Sequence, residues 1–463
     1  MDILLMSQYK DVYTVTFDGI HSEGVRGGKA KGLTFVKATD LTAGVDPFAG
    51  MNWMNGYDVI TEWDAGSSKQ KITAYEGTAI FDQKIADGIG NRINVKENAW
   101  FRRMSADKIE LSPKRFAGAE PLYHLGNTVL PRIGFTVHAA ALDSNGLIVS
   151  RAGLPTAVNL SLLQFNALYM AQGMYAMDFN SMSALQILAQ VKYANRNIQN
   201  VLGSGISNTY TGDGSTAAEK AIISETGVSR IVVPNATAAK FNVGDSVTLT
   251  TGTFFQAKIT AITAHDASNM AITINAPALF NTVAGSTGIR RSINWTGESN
   301  TILGKCGSLS GTDGKVAIKM LGIENFYGNA WNLLSGAFRY NNTDFYINPN
   351  NLGQTAWPTT IEEATAGGYV KTGITLPTSA GYIAGIGYDA NHRNLFLPTS
   401  VGGDAAKPVG DYFYTVTGNG FYVSLSGGNL SHGTYAGPFF VYVNYGLSAA
   451  NWNYSAFGLY LPE

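Results

Sequence analysis

The sequence predicts an α+β fold dominated by strands and divided into more than one domain, and three observations lead there. The chain has 463 residues, too many for one ordinary hydrophobic core. Gly numbers 53 and aromatics reach 11%, while only 14% of residues are charged, a mix that suits short strands and tight turns. Helical periodicity is confined to one stretch, whereas strand-like alternation recurs along the chain. An apolar content of 45% argues against disorder.

Residues 1–120 read as a small β-rich N-terminal domain whose boundary lies between 85 and 125. VYTVTF at 12–17 and TAYEGTAIF at 73–81 alternate as strands do, and GVRGGKAKG at 24–32 reads as turns. LSLLQFNALYMAQG at 160–173 sets Leu162, Phe165 and Leu168 or Tyr169 at helical spacing, and Gly173 can end that helix. MYAMDF follows as a short strand. NSMSALQILAQVKYANRNIQNVLG predicts a second helix, capped by Asn180 or Ser181 and closed by Gly203. Its apolar stripe runs through Met182, Leu185, Leu188, Val191 and Ile198. Residues 206–225 are a polar linker by composition. From Ser229 onward at least four short strands, with turns at Pro234, Gly244-Asp245, Gly252 and Ser268-Asn269, predict a small barrel or sandwich inserted at about 208–294. Residues 295–463 show turns, short strands and aromatics, with little helix.

Few function classes survive the composition. A net charge of −1 offers no basic footprint for a nucleic acid. The single cysteine, Cys306, allows neither an internal disulfide nor a thiolate metal cage. No uninterrupted apolar run is long enough to span a membrane, and the opening MDILLMSQYKDVYTV is too short in apolar residues for a secretory signal. Synthesis in a cytoplasm follows as the expectation. The six histidines are scattered, and no phosphate-binding loop, dinucleotide fingerprint or nucleophile elbow occurs. Glu362 and Glu363 are adjacent, so on a strand they would face opposite ways, a poor acid–base pair. Cys306 is the one nucleophile candidate, in GKCGSLSGTDGK between two lysines; the plainer reading is a small residue in a loop. Asp313 and Asp344 could join a calcium site, a pattern common by chance. No catalytic residue, metal site or cofactor is assigned.

GIENFYGNAW (322–331), LFLPTSVGG (395–403), GDYFYTVTGNGFYVSLSGG (410–428) and SHGTYAGPFFVYVNYGLSAANWNYSAFGL (431–459) occur in one order. That order resembles the C-type lectin-like, formylglycine-generating-enzyme-type fold of variable proteins diversified by retroelements. MDFNSMSALQILAQVKYANRNIQNVLGSGI is similar to the helix that precedes GIEN-x-x-GN there, and DGIHSEGVRG resembles the opening of phage and prophage members. The resemblance covers most of 125–205 and 295–463. It implies a lectin-like domain over 121–207 and 295–463, with a ligand-binding region near 430–457 that error-prone reverse transcription rewrites. The variable positions it implies are His432, Tyr435, Phe440, Tyr442, Asn444, Tyr445, Asn451, Trp452 and Tyr454. Gly427, Gly428, Ala436 and Gly437 would be fixed framework. The chain departs from the family at Leu430, where Trp is usual, and at Ser455–Leu459, where Gly-x-Arg-Leu is usual. Formylglycine-generating enzymes act through paired cysteines, so one cysteine leaves that activity unsupported.

The tail itself points the same way. Residues 435–463 hold nine aromatics in 29 residues, and 412–462 contain no Asp, Glu, Lys or Arg. Alternation in FFVYVN sends Phe439, Val441 and Val443 inward and Phe440, Tyr442 and Asn444 outward. Tyr and Trp contribute wide contact at low entropic cost, and Asn and Ser hydrogen-bond adaptably, as in antibody loops. The expectation is a receptor-binding protein of a phage or prophage tail, on the virion or a bacterial cell surface. Its partners would be a host surface protein or glycan and other tail proteins, and it would assemble as a homotrimer. The rival expectations are an invariant structural virion protein and, further off, a carbohydrate-active or oxidising enzyme.

Overall fold

Strands account for 36% of the residues and helices for 12%, so the β-rich character read from composition is met. A computed structural model describes residues 11–40, 42–309, 314–350 and 352–462. The chain forms two compact units. One comprises the residues up to Asn208 together with Gly297 onward, and the other is Thr209–Thr296.

The first unit contains two larger sheets. A six-stranded sheet orders Tyr175–Ala176, Gly458–Tyr460, Arg132–Thr136, Asn91–Glu97, Tyr57–Asp64 and Lys69–Tyr75. The expected boundary near 120 is therefore absent, because backbone hydrogen bonds tie the 91–97 strand to 132–136 and that strand to the chain's end. The energetic reason is a shared core: Phe101, Ile109, Tyr123 and Ile133 pack in one cluster with Leu185, Phe439 and Leu459. TAYEGTAIF is also half misread. The strand stops at Tyr75, and a helix runs Ala79–Ala86 because the Thr78 side chain accepts the amide of Phe81 as its cap.

Helix α1 (Leu162–Met170) starts at a capping box, in which Ser161 and Gln164 satisfy each other's backbone amides. It buries Leu162, Phe165 and Tyr169, as the spacing predicts. Helix α2 (Phe179–Tyr193) begins two or three residues earlier than expected, because Asp178 caps it by accepting the amide of Ser181. It also ends early. Ala194 takes a left-handed conformation at φ 50°, and a separate turn of helix, Ile198–Leu202, is capped by Asn197. The apolar stripe misleads too, since every residue of α2 except Asn180 is buried, polar ones included. A helix sunk in the middle of a domain is covered on all sides, so its pattern is not amphipathic.

A nine-stranded sheet lies in the C-terminal half. Its path runs Val370–Thr375, Asp344–Ile347, β1 (Trp331–Tyr340), then across to β4 (Phe421–Gly427), β5 (Gly437–Val443), β3 (Tyr412–Thr415), β2 (Gly381–Ile386) and Pro398–Val401. The short strand Tyr454–Ser455 pairs with β1 in parallel.

The second unit occupies the stretch where the insert was expected. Arg230–Pro234, Asn269–Ile274, Ala257–Ala264, Ser246–Leu249 and Ile289–Arg291 make a five-stranded sheet in that order. Its own apolar core includes Ile231, Val233, Phe241, Val247, Ile259 and Ile272.

Candidate recognition face

The pleat decides which aromatic side chains gather. In β5, Phe439, Val441 and Val443 enter the main core with Phe413 of β3, so Phe440 and Tyr442 face the other way. β3 runs parallel to β5 with Tyr414 opposite Tyr442, and Tyr382 of β2 pairs with Tyr412. Tyr382, Tyr412, Tyr414, Phe440 and Tyr442 thus share one side of the sheet.

That side is not simply open. Phe440 is 1% exposed, with ring centres 4.6 Å from Trp331, 5.3 Å from His432 and 5.9 Å from Tyr412. Tyr454 is 2% exposed, held by the parallel pairing with β1 and touching Tyr445 at 5.7 Å. Two of the nine expected contact residues, Phe440 and Tyr454, are therefore core and are withdrawn from the contact set. Alternation tells which side of a strand a residue faces, but not whether another layer covers that side. Here Trp331 and His432 supply the layer.

The exposed remainder forms two tyrosine clusters joined through Phe440 and Trp331. In one, Tyr435 stacks on Tyr412 at 4.3 Å, and Tyr382 meets both edge-on at 5.2 and 5.3 Å. The Tyr382 hydroxyl lies 2.7 Å from the Thr434 hydroxyl. In the other, Tyr442 stacks on Tyr414 at 4.8 Å and on Tyr445 at 5.4 Å, and the Asn444 amide donates to the Tyr442 hydroxyl at 3.1 Å. Tyr414, Tyr435 and Tyr445 are 37%, 39% and 39% exposed. Each such ring pair adds about 0.5–1.5 kcal/mol beyond its area, so the clusters hold their own shape.

Asn451 and Trp452 are half-buried in the loop before Tyr454. The Asn451 carbonyl accepts the amide of Asn159 at 2.9 Å, and its side chain accepts the amide of Trp452 at 2.8 Å. Trp331, Tyr382, Tyr412 and Tyr414 were not singled out from the sequence. For Tyr412 and Tyr414 a signal existed, since both fall in the charge-free stretch at strand spacing. Tyr382 carries none.

The electrostatics are those of a neutral surface. Burial raises the hydroxyl pKa of Tyr382, Tyr412, Tyr442 and Tyr454 above the ordinary tyrosine value. Burial also lowers His432 to about 4, so these five side chains are uncharged near neutral pH.

The backbone beneath is fixed by buried polar groups. Asp411 is fully buried, and its Oδ2 accepts the Phe439 amide at 2.7 Å. Burial raises its carboxyl well above the ordinary range, against the pull of the Phe439 and Phe440 amides. A Cβ on Gly437 would come within 2.1 Å of Asp411 Oδ1, so that position admits only glycine. Gln186 of α2 donates to the Pro438 carbonyl at 2.7 Å, and Gln199 donates to the Ala436 and Thr434 carbonyls. Leu430 is fully buried, an apolar framework residue in its own right.

Other reactive groups are spoken for. Cys306 is 4% exposed, and its sulfur accepts the Tyr193 hydroxyl at 3.0 Å and the Leu321 amide at 3.2 Å. Burial alone would raise the Glu324 carboxyl, but His138 at 3.2 Å and the amides of Ser299 and Gly297 outweigh it and hold it at about 2. Glu363 lies on a helix, Ile361–Ala366, where its carboxylate accepts the Thr359 amide and hydroxyl. Asp344 pairs with Lys371 at 2.8 Å, and Asp313 lies outside the described residues. Among the described residues, no group of three or more His, Cys, Asp or Glu side chains could hold a metal ion, and no helix is long and apolar enough to cross a membrane. Comparison with family models gives no match, and comparison with curated proteins gives none either.

Proposed function

We propose that this chain is a receptor-binding protein whose C-terminal tyrosine clusters contact a partner on a host cell surface. The observation that carries the reading is the exposed, uncharged ring surface of Tyr414, Tyr435 and Tyr445, set on a backbone pinned by Asp411, Gln186 and Gln199. Rings that already stack on each other lose little freedom on binding, and neutral groups avoid burying an unpaired charge against an unforeseen partner. The ordered sequence resemblance supports a C-type lectin-like scaffold and a phage or prophage tail setting, with retroelement diversification confined to the tail. On this reading the protein acts as a homo-oligomer, because several weak contacts held together gain roughly 10²–10⁴ in avidity, and the resemblance implies a trimer. It performs no catalysis.

A second reading, an invariant structural virion protein, is favoured by the burial of Phe440 and Tyr454. Sequencing the locus in sister isolates separates the two. Display predicts substitutions concentrated at Tyr435, Asn444, Tyr445, Asn451 and Trp452, with Phe440, Tyr454 and Gly437 constant. An equally constant tail, or substitutions spread evenly over the chain, supports the structural reading.

A further inference from the structure

A concavity lies wholly inside the Thr209–Thr296 unit, and its lining shares no residue with the tyrosine clusters. It is a cleft of about 500 Å³ between the segments Thr251–Phe255 and Pro277–Asn281, the latter running into the strand Phe280–Thr282. We infer that this cleft is a binding site of its own, for a neutral pyranose unit of a glycan.

Three features of its wall select that chemistry. No lining residue is ionisable, so a charged ligand would surrender hydration with no counter-charge in return. The ligand matched in charge is a neutral one. The size comes next: the volume falls within the usual range of about 300–1,000 Å³ for small-ligand pockets, room for one or two sugar rings. The third feature is the mixture of surfaces. Phe254, Phe255 and Phe280 are all half-exposed, and Phe255 and Phe280 meet at 6.0 Å. Beside them stand the hydroxyl of Thr253 and the amide of Asn281, while the Thr251 hydroxyl is already paired with that of Thr287 at 3.0 Å. Asn281 Oδ1 accepts the Gly227 amide at 2.9 Å, which fixes the side chain and turns its NH₂ into the donor on offer. A pyranose has an apolar C–H face for the phenyl rings and equatorial hydroxyls for the polar rim. A purely aliphatic ligand would leave that rim without partners.

The test is saturation-transfer NMR on the full chain, with maltotriose, cellotriose and chitotriose as neutral probes, polygalacturonate fragments as a charged control and a Leu/Phe-rich peptide as an apolar one. The expected result is transfer to at least one neutral trisaccharide. Phe254→Ala should weaken it about five- to tenfold, the loss of one ring contact, and Thr253→Ala should weaken it also. Phe254 lies outside the apolar core of this unit, so the variant should melt with the parent. The signal should survive Tyr414→Ala/Tyr435→Ala/Tyr445→Ala, which separates this site from the tyrosine clusters. No transfer to any neutral trisaccharide, transfer untouched by Phe254→Ala, or binding of the peptide alone would overturn the inference.

Discussion

Phe440 and Tyr445 show how one ring chemistry serves two ends. Phe440 sits among Trp331, His432 and Tyr412 at 1% exposure, so Phe440→Ala should cost about 3–5 kcal/mol in urea denaturation. Tyr445 is 39% exposed, and Tyr445→Ala should cost about 1 kcal/mol or less. Equal costs would mean that the exposed rings are core as well. Asp411 makes a second residue-scale prediction. Its folded carboxyl is raised by burial, so the unfolded chain gives up this proton at a lower pH than the folded one does. The stability it contributes is complete below the ordinary aspartate pKa and is lost as pH rises toward the folded value. Asp411→Asn removes that loss. Melting temperatures of variant and parent should diverge in the variant's favour between pH 4 and pH 8, and parallel curves would contradict the assignment. The rings of the charge-free tail were legible in the sequence, as was the side of β5 that Phe440 and Tyr442 take, whereas Tyr382 was not. What was illegible was the cover: Trp331 reaches Phe440 from across the sheet, a distance in sequence that no local spacing encodes.

Elements were legible where one local interaction decides them and misread where two compete. The α1 helix was found because its capping box and apolar spacing agree. In α2 the spacing continued through Ala194, but the backbone turns left-handed there, and Asn197 starts a new turn. Alanine in that conformation carries a steric cost that glycine does not. Ala194→Gly should therefore stabilise the protein by about 0.5–1 kcal/mol in urea denaturation. A destabilisation would show that the Ala194 methyl group's packing outweighs its strain. In TAYEGTAIF the alternation was real as far as Tyr75, and the Thr78 cap then overrode it.

For the molecule as a whole, the insert was legible because turn residues punctuate it, and the aromatic tail because charge is missing from it. The unity of the first unit was not. Strands from residues 57–97, 132–136 and 458–460 share one sheet, and such long-range pairing leaves no mark on composition. That same closure bears on the proposed display role, since the tail's framework is anchored by chain from both halves, through Gln186, Gln199 and Asp411. Side chains at its surface can then change while the backbone stays put. The most direct measurement is adsorption of the purified protein to host cells, comparing the parent with Tyr414→Ala/Tyr435→Ala/Tyr445→Ala after both are shown to melt alike. Loss of adsorption by at least about tenfold, from three ring contacts removed at once, is the predicted result. Undiminished adsorption by the folded triple variant would contradict the account.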